Sequence, residues 1–109
     1  MALSANEWRE TAMGYYLIVD ASLNGTGIRD QYNGGYVDPD DLPLSAAIKE
    51  QLKRWTLSYA QQQYRNFADD KILAVLDSEG KHIALTIKKE IGDCKIEYFS
   101  NARLTSELI

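Results

Sequence analysis

The stretch KILAVLDSEGKHIALTIKKEIGD, residues 71–93, decides the fold because it has two readings. As strands, Ile72–Leu76 and the alternation from His82 to Lys88 form a β-hairpin that turns at Asp77-Ser78-Glu79-Gly80. As a helix, Ile72, Leu76, Gly80, Ile83, Ile87 and Ile91 form one continuous stripe, and Gly92 is its C-cap. Periodicity alone does not separate the two. Downstream, Lys95-Ile96-Glu97-Tyr98-Phe99 reads as a strand. The last ten residues are polar and mixed and are expected to be extended or frayed.

Upstream the pattern is clearer. Leu44, Ile48, Leu52, Trp55 and Tyr59 make one apolar helical stripe, with Lys49, Glu50, Lys53 and Arg54 off it. Ser45 is a good N-cap and Pro43 keeps the helix from starting earlier, so a helix over about 45–66 is predicted. Tyr15 to Asp20 is aromatic and β-branched and reads as a buried strand. Between them, residues 21–43 hold Asn24-Gly25, Gly27, Asn33-Gly34-Gly35, Pro39 and Pro43, which is loop chemistry. A loop that long in a small domain is usually functional or disordered, and Tyr32 and Tyr36 beside the double glycine argue against plain disorder. Ser4-Ala5-Asn6-Glu7 is a capping box, so a short helix over 5–12 anchored by Trp8 is expected.

At 109 residues, 1–109 is one domain, large enough to bury a core without staples. With 45% hydrophobic and 26% charged residues, the chain falls in the globular class rather than the disordered one. One cysteine, Cys94, and one histidine, His82, exclude a disulfide framework and the paired-ligand zinc motifs. No apolar run approaches a membrane span and the N-terminus has no secretory pattern, so a cytoplasmic protein is expected. The net charge of −4 lies entirely in residues 20–41, where Asp20, Asp30, Asp38, Asp40 and Asp41 face only Arg29. No basic patch is available for a nucleic-acid backbone, whereas an acidic surface attracts a basic partner. The same carboxylates also have a plain reading as a solvated loop, with Asp40-Asp41 favoured just ahead of a helix N-terminus.

Catalytic signals are thin. Asn24-Gly25-Thr26-Gly27 lacks the spacing and the Gly-Lys-Ser/Thr end of a phosphate loop. Asp38-Pro39-Asp40-Asp41 has no calcium-loop spacing, so neither metal nor cofactor is expected. His82 has no evident nucleophile partner, and Cys94 beside Lys95 reads as a part-buried small hydrophobe. No catalytic constellation emerges, no enzyme is expected, and an interaction module is favoured by elimination.

Two blocks resemble small bacterial immunity proteins of polymorphic toxin and contact-dependent growth inhibition systems (CdiI-type). The first is Gly35-Tyr36-Val37-Asp38-Pro39-Asp40-Asp41-Leu42-Pro43-Leu44-Ser45 with Leu52 and Trp55. The second is Glu79-Gly80-Lys81-His82-Ile83-Ala84-Leu85, continuing through Lys89-Glu90-Ile91-Gly92-Asp93 to Lys95–Phe99. The resemblance implies a helix over 70–91 and an N-terminal extension over 1–12. It departs in the glycine-rich loop, where Ile28-Arg29 replaces a tryptophan, and in the glutamine-rich segment after Tyr59.

The resulting fold is α+β: strands near 15–20 and 95–99 lie adjacent, paired in parallel through a helical crossover, and two long helices pack on the small sheet. Short extra strands within 24–37 would change the strand count. The function implied is stoichiometric neutralisation of a cognate toxin's C-terminal domain, a basic nuclease whose active-site cleft is occluded. The expected contacts are Asp30, Tyr32, Tyr36, Asp38, Asp40 and Asp41. No direct nucleic-acid or membrane partner is expected, and oligomeric state is left open. The alternative is a protein-interaction or small-ligand-binding module unconnected with toxins.

Overall fold

A computed structural model describes residues 14–109. The helix expected over 5–12, with Trp8, lies outside the described residues, as does the extension over 1–12.

The chain forms β1 (Tyr15–Asp20), β2 (Ile28–Asp30), a 3-10 turn (Pro39–Asp41), α1 (Ala46–Tyr64), α2 (Asp70–Ile91), β3 (Cys94–Ser100) and β4 (Thr105–Leu108). The sheet order is β2-β1-β3-β4. β1 and β3 are parallel, running from Tyr15↔Cys94 to Asp20↔Phe99, and both outer pairs are antiparallel. The fold is therefore α+β, with the parallel pair at the centre and both long helices in the crossover between its strands.

Residues 70–91 are one helix, not a hairpin. The alternation from His82 to Lys88 breaks on burial: Ile83 and Ile87 are buried while Leu85 is exposed. α2 starts where Asp69 accepts the N–H groups of Lys71 and Ile72, and stops at Gly92, whose φ of 88° suits glycine. The buried line runs through Leu73, Leu76, Asp77, Gly80, Ile83, Ala84 and Ile87. It departs from the sequence stripe at the first turn, where Leu73 is inside and Ile72 outside. Gly80 sets this face, because its bare backbone lies against the rings of Trp55 and Tyr98.

α1 is held as the sequence predicts. Ser45 Oγ accepts the Ile48 N–H at 3.2 Å. Glu90 near the end of α2 accepts from Ser45 N and Oγ at 2.7 and 2.9 Å, tying the start of one helix to the end of the other. Ile48, Leu52, Trp55 and Tyr59 are buried and Leu44 is partly buried against the core. α1 ends at Tyr64, two residues short of the expected boundary, and Asn66 and Phe67 turn the chain with positive φ. Tyr15, Leu17 and Val19 of β1 with Cys94, Ile96 and Tyr98 of β3 complete the core.

Of the two forms expected for the C-terminal segment, it takes the extended one. After a turn in which Leu104 has φ 54°, Thr105–Leu108 pairs with β3 as an edge strand. Ile109 N–H bonds Ile96 O, and Lys88 Nζ bonds Ile109 O at 2.8 Å. Its composition is polar because all four β4 residues are exposed at the sheet edge.

Candidate functional site

The long β1–α1 connection is braced rather than loose. Asp20, at the end of β1, is buried. It pairs with Arg29 Nε at 2.6 Å and accepts Ser22 N and Oγ at 2.8 and 2.6 Å. The Asn101 amide, oriented with its nitrogen 3.0 Å from Asp20 Oδ1, brings the end of β3 to the same carboxylate. Asp30 closes β2 and is also buried. Its Oδ1 accepts the Tyr32 N–H at 2.9 Å and its Oδ2 accepts from the Asn33 amide at 3.3 Å. The backbone closes around it through Gly34 N–H to Asp30 O and Asp30 N–H to Gly35 O, and Arg29 bridges to Tyr36. Thr26 Oγ1 donates to Val37 O at 2.6 Å and ties the two arms of the loop together.

This geometry divides the acidic segment. Asp20 and Asp30 are internal struts, so the outward charge is carried by Asp38, Asp40 and Asp41, all exposed. Asp38 accepts the Asp40 N–H at 2.9 Å and starts the 3-10 turn. Asp40 reaches Lys49 at 3.1 Å, an exposed pair of the kind that contributes about 0–1 kcal/mol. Tyr32 and Tyr36 are each 41% exposed. Tyr32 stands edge-on to Tyr16 at 5.9 Å, and the Tyr36 ring covers Gly25. Tyr36, Asp38, Asp40 and Asp41 are thus exposed along one segment of chain and Tyr32 lies on the turn before it, which buried Asp30 braces from inside. Lys49 and Lys53 line one cleft of about 480 Å³ together with Asp38 and Asp40.

A second polar cluster has no counterpart in the sequence reading. Asp77, buried within α2, accepts from Tyr98 Oη at 2.6 Å, Ser100 Oγ at 2.9 Å and Tyr59 Oη at 3.0 Å. Burial first, then the bond to Asp77, raises the Tyr98 hydroxyl far above its ordinary range, so Tyr98 remains the donor. The cluster joins α1, α2 and β3 and floors a cleft of about 300 Å³ beside β4. The available signal was the period: Asp77 stands one helical turn from Leu73 and from Gly80, on the inward face.

His82 is exposed on α2. Cys94 is buried, and burial pushes its thiol up to about 11, with Asp93 adding to the effect and Lys88 opposing it. A thiol so placed is a poor nucleophile. Among the described residues no three His, Cys, Asp or Glu side chains are grouped to hold a metal ion. No helix among them is long and apolar enough to cross a membrane. Comparison with protein-family models and with curated proteins finds no match for the chain.

Proposed function

We propose that this protein is an immunity protein that binds the C-terminal domain of a cognate toxin in the cytoplasm and occludes its cleft with the 24–41 loop. One observation carries the reading: Tyr32, Tyr36, Asp38, Asp40 and Asp41 are exposed on a loop whose own hydrogen bonds fix its shape. A pre-ordered loop has little conformational freedom left to lose on binding. Partly exposed tyrosines combine apolar area with a hydroxyl and are common interface anchors. The three outward aspartates suit a basic groove of the kind that holds a nucleic-acid backbone, and they would speed association by roughly 10 to 10³-fold. A nuclease is the toxin class this chemistry fits.

The test is co-expression with the toxin domain encoded beside the gene, comparing wild type with Asp38→Lys, Asp40→Lys and Asp41→Lys combined. The expected result is loss of protection and at least about 100-fold weaker binding, equivalent to about 2.7 kcal/mol, which desolvated contacts of about 2 kcal/mol each reach without full additivity. A thermal melt distinguishes lost binding from lost folding, and Asp38→Asn keeps the turn-starting acceptor for the same purpose. Full protection by a folded triple variant refutes the acidic-loop mechanism.

A further inference from the structure

The cleft beside β4 is lined by Asp77, Ser78, Lys81, Tyr98, Arg103 and Glu107, among others. At its floor Asp77 is 7% exposed. The three donors that hold it, Tyr59, Tyr98 and Ser100, are neutral hydroxyls on fixed elements. Among the described residues one cation meets its charge, Arg103, whose Nε lies 3.4 Å from Oδ2. That is longer than the roughly 2.7–2.9 Å of a strong charge-assisted bond. Arg103 itself is 49% exposed, on the β3–β4 turn and outside the hydrophobic core. A buried carboxylate needs a close counter-charge, and here the counter-charge is a loosely seated side chain at the cleft mouth.

We propose that this cleft is a binding site for an alkylguanidinium group, and that Arg103 occupies its place in the unliganded protein. The proposal is independent of the immunity reading. Arg103 already brings a guanidinium Nε to 3.4 Å from Asp77 Oδ2 in this cleft. A planar, weakly hydrated cation suits a site of this kind better than an ammonium does. Glu107 supplies a second carboxylate at the rim, where it is paired with Lys81 at 2.8 Å and both remain about half exposed. A volume of about 300 Å³ lies at the small end of ligand sites and fits a group the size of one side chain. The group belongs to a free guanidine compound or to an arginine of a partner protein, and in either case Arg103 is a tethered competitor.

The experiment is an NMR titration of the full chain with N-methylguanidinium at constant ionic strength, in wild type and in Arg103→Ala. Asp77 is left intact because its loss would strand three hydroxyls. The expected result is saturable shifts at Ser78, Ser100 and Thr105, with binding about tenfold tighter in Arg103→Ala, the equivalent of one charge-assisted contact. Glu107→Gln should weaken it, and urea, the uncharged planar analogue, should produce no saturable shift. Acetyl-Gly-Arg-Gly-amide and free L-arginine identify the source: tighter binding of the peptide points to a partner's side chain, tighter binding of the amino acid to a small molecule, and either supports the site. Arg103→Gln replaces Arg103→Ala if the latter does not fold. Absence of saturable shifts in the Arg103 variant, equal affinity in variant and wild type, or an equal response to urea overturns the proposal.

Discussion

Replacing Gly80 by alanine sets two effects against each other. In an exposed helix interior the change stabilises by about 1 kcal/mol, because alanine restricts the unfolded backbone and favours the helix. Here the added Cβ would stand 2.7 Å from Trp55 Cζ2 and closer still to Tyr98 Cε1. Both rings are almost fully buried, so neither can swing aside into solvent. Overpacking of this kind costs about 1–3 kcal/mol. Any shift of the Tyr98 ring also lengthens its 2.6 Å bond to Asp77, and a bond to a charged group contributes about 1.5–3 kcal/mol. Destabilisation wins by roughly 2–3 kcal/mol, which lowers Tm by about 10 °C or more for a domain of this size. Far-UV circular dichroism melts measure it directly. In a Tyr98→Leu background the same alanine should cost at least about 1 kcal/mol less, since touching residues couple. A Gly80→Ala protein that melts at or above wild type refutes this account of the helix–sheet contact.

Asp30→Ala should lose about 1–2 kcal/mol and speed amide exchange at Tyr32 and Gly34, because the turn loses its side-chain acceptor; unchanged exchange rates would show that the loop is braced elsewhere. Trp55→Phe removes the Nε1–H bond to Leu76 O at 2.8 Å and opens space beside Gly80, for a loss of about 1–3 kcal/mol in urea denaturation. Stability should fall in alkali with a defined sign. Burial raises the Cys94 thiol from 9.0 to about 11, so the unfolded chain releases this proton first. The contribution is complete below about pH 9 and is lost as pH climbs toward about 11, and the raised Tyr59 and Tyr98 hydroxyls extend the loss. Urea midpoints at about pH 8 and about pH 10 should differ less in Cys94→Ala than in wild type.

Sequence made some of this architecture plain and concealed the rest for physical reasons. α1 is readable because Ile48, Leu52, Trp55 and Tyr59 keep helical spacing behind a capping serine. α2 is harder, because Asp77-Ser78-Glu79-Gly80 has the composition of a turn while Asp77 and Gly80 face inward on an unbroken helix. Hydrophobicity cannot flag a buried carboxylate, and the hydroxyls that satisfy Asp77 come from residues 59, 98 and 100, which only the tertiary fold assembles. Charge counting over 20–41 is misleading for the same reason. Asp20 and Asp30 add to the formal charge yet are spent on internal hydrogen bonds, which leaves Asp38, Asp40 and Asp41 to face outward. β4 escapes notice because a four-residue strand with every side chain exposed carries no apolar alternation.

The central parallel pair has a consequence during synthesis. Tyr15 meets Cys94, so β1 waits for this neighbour until residues 94–100 have been translated. The β1–β2 and α1–α2 hairpins, made of local contacts, can form meanwhile, but the Leu17–Val19 edge that faces β3 lacks its strand partner until then. A nascent chain cut short before Cys94 therefore presents an open strand edge to its surroundings, and holdase chaperones and proteases would meet that species first.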